Sequence, residues 1–251
     1  MLTHEPGLAA THGPEFVGRA VPIYFIGDSH TLVHNHLLYK SNGTHYVTQS
    51  HYIHGLYARD FCSEGKVSES VMAPLVGLLA PTDEGWRLRW SDVTLVVQCG
   101  DLDARRAAIE LGASAGLVLP FAPEEKVLGP RPVPYALVEG EARRSLEPLF
   151  AGLSELRKIG FERLAVAAIP PPMHEDEWQK HQKPGPSEAM RYAVVRTYNH
   201  VLKERAAANG VRFLDYWPFV ITNGRRDARF NLDGVHLNLE AAALLMGLVL
   251  E

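Results

Sequence analysis

The sequence feature that most constrains the fold lies near the start of the chain, in residues 21–30, VPIYFIGDSH. Its first part, residues 23–26, is apolar and β-prone, which is typical of a strand buried on both faces. The pattern breaks at the Gly-Asp-Ser-His that follows, and apolar spacing then predicts a helix over residues 31–39. A strand that turns sharply into a helix places Ser29 at the carboxyl end of a strand, where open α/β sheets build their sites.

Ser29 at this turn has two interpretations. A helix N-terminus offers unpaired N–H groups and the positive end of a dipole, which stabilise a developing oxyanion and favour a nucleophile here. Serine is also a common helix cap, with no chemistry attached. The first interpretation gains support from residues 231–238, NLDGVHLN, in which Asp233 and His236 lie in a predicted loop before an apolar helix. An Asp and a His so placed can face the same serine.

Gly-Asp-Ser near the N-terminus together with Asp-x-x-His near the C-terminus is the paired signature of the SGNH/GDSL hydrolase family, and this sequence resembles that family. The resemblance implies that Ser29 is the nucleophile and His236 the base, with Asp233 holding the ring and stabilising the imidazolium. It also implies acyl-ester chemistry through an acyl-enzyme on Ser29. The same site could pass the acyl group to a sugar or another alcohol, so hydrolysis and acyl transfer both stay open, and water access decides between them.

The oxyanion hole of the family uses three donors. They are the N–H of the nucleophile, the N–H of a glycine after the second strand, and an asparagine side chain from Gly-x-Asn-Asp after the third strand. The first corresponds to Ser29, and the second to Gly55, which is also a typical turn residue. The third is missing, because Leu102 stands in place of the asparagine and cannot donate a hydrogen bond. Loss of one such donor typically lowers the rate by ~10²–10³, so a catalytically weak binding protein with the same fold is the rival to an enzyme.

Residues 100–105, GDLDAR, instead resemble a subgroup of the family with Gly-Glu-Ile-Asp-Cys-Arg in this place. We predict a strand-end loop here, in which Arg105 supplies the missing donor or binds an anionic group of the substrate. A salt bridge from Arg105 to Asp101 or Asp103 is the alternative. We assign three further residues to the oxyanion- or substrate-binding candidates: Asp28, Asp103 and His30, of which the last directly follows the nucleophile.

Strands and helices alternate along the chain. Strands are predicted over residues 46–49, 92–99, 163–169 and 211–215, and helices over residues 71–79, 136–159, 187–209 and 239–250. The alternation predicts an α/β fold, in which a three-layer α/β/α sandwich surrounds a mostly parallel sheet of about five strands. The resemblance to the family implies that this fold is flavodoxin-like. We predict a flexible N-terminal arm over residues 1–19 and a single SGNH hydrolase-like domain over residues 20–251. Residues 112–134 are expected to form an irregular excursion, and residues 173–186 a polar loop.

Composition narrows the function classes. With a net charge of −4 over 251 residues, the chain lacks the basic surface expected of a nucleic-acid or anionic-membrane partner. It has no apolar run that could span a bilayer, no secretory signal and only two cysteines, which indicates a cytoplasmic protein without a disulfide framework. Nucleotide-binding glycine motifs are absent, and His30 and His34, one helical turn apart, lack further ligands, so we predict neither a cofactor nor a metal. The expected partner is a small-molecule or carbohydrate ester substrate.

Overall fold

The fold is built on a central sheet with hydrophobic cores on both of its faces. The computed structural model of the protein describes residues 3–5, 20–78, 89–112, 135–172, 174, 186–233 and 235–251. Its strands are β1 (Thr3–Glu5), β2 (Val21–Gly27), β3 (Leu38–Ser41), β4 (Thr44–Tyr52), β5 (Cys62–Ser63), β6 (Lys66–Val67), β7 (Thr94–Gln98), β8 (Arg163–Ala167), β9 (Arg212–Leu214), β10 (Ile221–Thr222) and β11 (Arg225–Arg226). Its α-helices are α1 (Glu69–Leu78), α2 (Asp101–Gly112), α3 (Tyr135–Ile159), α4 (Glu188–Ala208), α5 (Trp217–Val220) and α6 (Leu239–Leu250).

Five neighbouring strands of the sheet run parallel, in the spatial order β4-β2-β7-β8-β9. Strands β3 and β1 extend the sheet beyond β4 through antiparallel pairing. Along the chain the parallel strands are the second, first, third, fourth and fifth, which is the flavodoxin-like order. The predicted fold class, a mostly parallel sheet of about five strands between helices, is therefore confirmed. In such a sheet, ligands bind where the strand order reverses, which here is at the carboxyl ends of β2 and β7.

Strand β2 is buried on both faces, as its apolar sequence predicts. Tyr24 and Ile26 pack into the core that also contains residues of α1, α2, α3 and α4, whereas Ile23 and Phe25 pack into the core that contains residues of α6. Successive side chains of a strand point to opposite faces, so β2 joins the two cores. None of the described helices combines the length and the apolar content needed to cross a membrane.

The helix predicted over residues 31–39 is wrong. A short 3-10 helix covers Ser29–His34, and the chain then enters β3, which pairs antiparallel with β4. Asn42 and Gly43 form the two-residue turn between these strands, with positive φ angles of 49° and 78°. Asn-Gly is a strong signal for such a hairpin. Pairing with β4 therefore decides the conformation of this segment, and its helix-like apolar spacing does not.

The loop predicted over residues 100–105 is also wrong. Helix α2 begins at Asp101, directly after β7, with the Ala104 N–H donating to the Gly100 carbonyl at 2.9 Å. Acidic side chains at Asp101 and Asp103 favour this position, because they lie at the positive end of the helix dipole. Arg105 consequently lies in the second turn of a helix.

Several predicted segments lie mostly outside the described residues. The excursion over residues 112–134 is described only at Gly112, the end of α2, and the loop over residues 173–186 only at His174 and Pro186. Of the segment predicted as an N-terminal arm, residues 3–5 are described, and they form β1. The other helices predicted from sequence are confirmed to within a few residues, including α4, whose N-terminus Ser187 caps.

Candidate active site

Gly27 lets the chain turn out of the sheet at the end of β2. A Cβ atom at this position would lie 1.8 Å from the carbonyl oxygen of Gln98 on β7, so only glycine fits here. The next residue, Asp28, donates its N–H to the same carbonyl at 3.0 Å and accepts the His30 N–H at 3.1 Å. Asp28 therefore caps the 3-10 helix, and the interpretation of Ser29 as the cap is wrong.

Ser29, His236 and Asp233 form a continuous chain of hydrogen bonds. The Oγ of Ser29 lies 2.8 Å from Nε2 of His236, and Nδ1 of His236 lies 2.7 Å from Oδ2 of Asp233. Ser29 follows the carboxyl end of β2, next to β7, at the point where the strand order reverses. The structure thus brings together the end motifs of the chain, 207 residues apart.

Asp233 organises the loop that carries His236. Its second oxygen, Oδ1, accepts the N–H groups of Val235 at 3.0 Å and of His236 at 2.7 Å. Partial burial works against ionisation, but the hydrogen bonds from His236 and Val235 outweigh it and lower the pKa of Asp233 to about 2. A carboxylate that stays ionised beside Nδ1 favours the tautomer in which Nδ1 carries the proton, which leaves Nε2 to accept the Ser29 hydroxyl.

Arg226 supports the same loop and has no counterpart among the sequence predictions. Its side chain is only 2% exposed, and Nη1 donates to the Val235 carbonyl at 2.9 Å, directly before His236. Its backbone N–H donates to the Tyr192 hydroxyl at 2.6 Å, and its carbonyl lies 3.1 Å from Nε2 of His174. Burial lowers the pKa of this guanidinium. The Asn223-Gly224 turn, which joins β10 to β11, is a signal in the sequence for the hairpin that carries Arg226, but not for the burial of its side chain.

A second charged cluster includes His30, which directly follows Ser29 in the chain. Nη2 of Arg105 is 2.6 Å from Oδ2 of Asp101, and Nε2 of His30 is 3.4 Å from the same oxygen. Burial alone would raise the pKa of Asp101, but Arg105 and His30 reverse the effect and hold it well below its usual range. The structure thus realises the salt bridge from Arg105 to Asp101. Asp28 is buried beside this cluster. Burial and the negative charge of Asp101 raise the pKa of Asp28 to about 6, although the charge of His30 acts to lower it.

The remaining candidates, Asp103 and Gly55, belong to the junction between α2 and the loop after β4. Oδ2 of Asp103 accepts the Ala58 N–H at 2.6 Å, and burial raises the pKa of Asp103 to about 7. This contact ties α2 to the loop that contains Gly55, whose φ of +68° suits glycine. Leu102 is half-buried in the first turn of α2. Asp103 is therefore occupied with a backbone contact, and its carboxylate does not line the pocket described next.

A small pocket, part of it open to solvent, adjoins this site. Its lining includes His30, which follows Ser29, and Val235, which precedes His236. Polar groups of Asp101, Arg105 and Arg191 line it further, with small apolar residues of α2 and α4 and the prolines after β8. Among the described residues, no three His, Cys, Asp or Glu side chains are grouped so as to hold a metal ion.

Comparisons with known proteins bear on the fold alone. No family model matches the sequence, and no curated protein matches it. A Streptococcus pneumonia protein, provisionally described as a platelet activating factor, matches at a TM-score of 0.51 and 15% identity, over 90% of this chain and 81% of that chain. A GDSL-like lipase from Bacteroides thetaiotaomicron matches at 0.48 and 14%, over 96% of this chain and 91% of that chain. A variant of an acetyl-xylooligosaccharide esterase from Geobacillus Stearmophilus matches at 0.45 and 17%, over 91% and 92%.

At 15% identity, the match to the Streptococcus pneumonia protein concerns the fold alone, and the chemistry is argued from the geometry of the site.

Proposed function

We propose that the protein is a serine hydrolase that cleaves acyl esters through an acyl-enzyme on Ser29. The observation that carries this proposal is the hydrogen-bonded chain from the Ser29 hydroxyl through the His236 ring to Asp233, at 2.8 and 2.7 Å. A serine hydroxyl is a weak nucleophile until a base accepts its proton, and this chain supplies the base and the group that orients it. A protein that only binds ligands has no need of such an arrangement.

In the first half of the reaction, Nε2 of His236 takes the proton of Ser29 while Oγ attacks the ester carbonyl carbon. Asp233 keeps its negative charge and stabilises the imidazolium. The tetrahedral intermediate then collapses, the bond to the alcohol oxygen breaks, and His236 gives its proton to the leaving alcohol. In the second half, a water molecule gives its proton to His236 and attacks the acyl-enzyme, which releases the acid and restores the Ser29 hydroxyl.

The developing oxyanion would be bound by backbone donors at the carboxyl edge of the sheet. The Ser29 N–H lies at the start of the 3-10 helix, and the Gly55 N–H lies in the loop after the neighbouring strand β4. Leu102 offers no side-chain donor in the place where the family has asparagine. With one donor fewer, we expect a slower enzyme of the same reaction class, by up to ~10²–10³.

Hydrolysis is favoured over acyl transfer by the exposure of the site. The side chain of His236 is 27% exposed and that of Asp233 is 50% exposed, so water reaches the base directly. Product analysis of an acetyl ester with and without added sugar acceptors tests this choice. An acyl-enzyme that reacts with water yields free acid at the same rate in both conditions, whereas a transferase yields acylated sugar.

The test of the proposal is Ser29→Ala, measured on a short-chain aryl ester and by labelling with a fluorophosphonate probe. The change removes one hydroxyl from a residue that caps no helix, so the fold should persist while turnover and labelling are lost. Ser63→Ala, at an exposed position in β5, is the matched control and should keep both. Wild-type turnover by Ser29→Ala would refute the proposal.

A further inference from the structure

We propose that a groove beside α4 is a second binding site of the protein, for a planar aromatic ring that carries a carboxylate or a phosphate. The groove has a volume of about 280 Å³, close to the ~300–1,000 Å³ typical of small-molecule sites. It is lined by α4 on one side, and by β9 and the segment that leads into α5 on the other. We call it the α4 groove, and its main contacts are Arg196, Asn199, Lys203, Phe213, Asp215 and Trp217.

The α4 groove is separate from the candidate active site. In the described part of the chain β9 is the last strand of the sheet, and β8 and β7 lie between it and β2, which leads to Ser29. Neighbouring strands are about 4.8 Å apart, so β9 lies roughly 14 Å from β2. The described lining of the groove shares no residue with the triad or with the pocket beside Ser29. The inference therefore goes beyond the proposed function and does not rest on it.

Phe213 and Trp217 give the groove an aromatic surface. Both side chains are half-buried and pack against the two hydrophobic cores. The Trp217 ring is held in place, because Nε1 donates to the Ile169 carbonyl at 2.6 Å. Asn199 is fixed by the same residue, since Oδ1 accepts the Ile169 N–H at 2.7 Å and Nδ2 donates to its carbonyl at 3.0 Å. Side chains already held in this way lose little conformational freedom when a flat ring packs on them.

Two basic side chains of α4 give the groove its charge. Arg196 and Lys203 are seven residues apart, which places them on the same face of the helix, two turns from each other. Neither forms an ion pair or a side-chain hydrogen bond within the part of the chain that the structure describes. Their donors are therefore available to a ligand, and the guanidinium fork of Arg196 matches a carboxylate or a phosphate.

The other ionisable groups of the lining leave this charge positive. Among the described residues, one carboxylate lines the groove, that of Asp215, and its Oδ1 accepts the Trp217 N–H at 3.3 Å. His200, on the same face of α4, adds to the positive charge when it is protonated. An aromatic surface next to unpaired basic groups complements a molecule that joins a ring to an anion. A neutral ring lacks the anion for Arg196, and a bare anion leaves the aromatic surface uncovered.

The experiment is calorimetric titration of the full chain with four probes. Two of them, 2-naphthoate and 2-naphthyl phosphate, combine a ring with an anion, whereas 2-naphthol is a neutral ring and inorganic phosphate is an anion alone. A hydrogen bond to a charged group contributes roughly 1.5–3 kcal/mol, so at least one naphthyl anion should bind about tenfold or more tightly than 2-naphthol and than inorganic phosphate. The two naphthyl anions show whether carboxylate or phosphate fits better.

Substitutions then locate the bound probe. Arg196 is half-buried, so Arg196→Met should weaken binding about tenfold or more, whereas Lys203 is exposed and Lys203→Met should have a smaller effect. Arg106→Met is the matched control, because it removes the same charge from an exposed position on α2 that pairs with Glu110. It should keep the wild-type affinity. Melting temperatures by circular dichroism confirm that each variant is folded at the temperature of the titration.

Three results would overturn the proposal. One is the absence of saturable binding of both naphthyl anions to the wild-type protein. Another is binding that Arg196→Met leaves intact and Arg105→Met abolishes, because the probe would then lie in the pocket beside Ser29. The third is a dimer in analytical ultracentrifugation that Arg196→Met dissociates, since a second copy of the chain would then cover the groove. Ser29→Ala should bind the probes as the wild type does, so the outcome is independent of ester hydrolysis.

Discussion

At the scale of single residues, the position of Ser29 depends on Gly27. A Cβ atom added there would collide with the Gln98 carbonyl, which is backbone and cannot move aside without opening the pairing of β2 with β7. We expect Gly27→Ala to destabilise the protein by at least the ~1–3 kcal/mol typical of overpacking. Urea unfolding followed by circular dichroism measures this loss.

The matched control for this prediction is Gly77→Ala in α1, where an added Cβ would meet no atom within 4 Å. Alanine in a helix interior is more favourable than glycine by roughly 0.5–1 kcal/mol, so this variant should be as stable as the wild type or more stable. Equal effects of the two substitutions would show that the approach of Gly27 to Gln98 does not limit stability.

Asp233→Asn separates two roles of this side chain, which are to hold the loop and to orient the His236 ring. The amide oxygen can still accept the N–H groups of Val235 and His236, so the loop should keep its shape. The amide nitrogen, however, is a donor and would face Nδ1 of His236, which favours the tautomer that cannot accept the Ser29 proton. We expect kcat to fall by roughly 10⁴, as the loss of the correct tautomer implies. The melting temperature should fall as well, because the ionised carboxylate stabilises the fold, so kcat is measured below the transition of the variant. A variant with near-wild-type kcat would show that Asp233 only shapes the loop.

At the scale of elements, the hairpin of β10 and β11 holds the loop that carries His236. Arg226, at the end of β11, connects the two through its contact with the Val235 carbonyl. We expect Arg226→Met to lower kcat about 10- to 100-fold with a smaller effect on KM, since a small displacement of His236 affects the reaction more than binding. Steady-state kinetics and the rate of labelling by a fluorophosphonate probe measure the effect.

Rescue distinguishes positioning by Arg226 from a general loss of structure. Arg226→Lys should recover part of kcat, because an ammonium can still donate to the Val235 carbonyl. Arg225→Met, at the exposed neighbour that pairs with Glu188 at 3.1 Å, should keep the wild-type kcat. If Arg226→Met loses melting temperature but keeps kcat in the folded fraction, Arg226 is a structural residue only.

The elements that could be predicted from sequence are those in which the spacing of apolar and polar residues, or a capping residue, agrees with the burial seen in the structure. Strand β2 is apolar because both of its faces are covered, and α4 begins at Ser187 because a serine hydroxyl satisfies a backbone N–H there. The apolar spacing around strand β3 is helix-like, but the conformation of β3 depends on pairing with β4, a contact that apolar spacing does not encode. The inward position of Arg226 likewise depends on tertiary contacts, and sequence reasoning treats arginine as a surface residue.

In the candidate site, too, local sequence patterns could be predicted and tertiary contacts could not. Short motifs at both ends of the chain single out Ser29, Asp233 and His236, because each motif has a recognisable composition at a strand or helix end, and the structure places the three side chains within hydrogen-bond distance of one another. The partners of Arg105 could not be chosen from sequence, since a loop and a helix after β7 place its guanidinium differently. The helix brings it within 2.6 Å of Asp101, four residues earlier.

At the scale of the whole molecule, buried carboxylates make stability depend on pH. Burial raises the pKa of Asp28 to about 6 and that of Asp103 to about 7, from an ordinary value of 3.8. Between about pH 4 and 7 the folded protein holds protons that the unfolded chain has lost, so the free energy of unfolding falls as the pH rises. Asp233, with its pKa lowered to about 2, acts oppositely and stabilises the fold above about pH 4, an effect lost on further acidification.

Asp103→Asn tests the predicted loss of stability as the pH rises towards neutral. Asparagine keeps an oxygen that can accept the Ala58 N–H but has no charge to bury, so the cost of ionising this position disappears. We expect the variant to lose less stability than the wild type between about pH 4.5 and pH 7.5, where each buried group contributes up to about 1.4 kcal/mol per pH unit. Urea unfolding at several pH values measures the slope of stability against pH.

Asp227→Asn is the control for this prediction. Hydrogen bonds from Arg229 and Thr222 lower the pKa of Asp227, so the effect of Asp227 on stability falls below the pH range of the measurement. A slope that Asp103→Asn leaves unchanged would mean that Asp103 is ionised in the folded protein throughout this range, with the contact to Ala58 outweighing its burial.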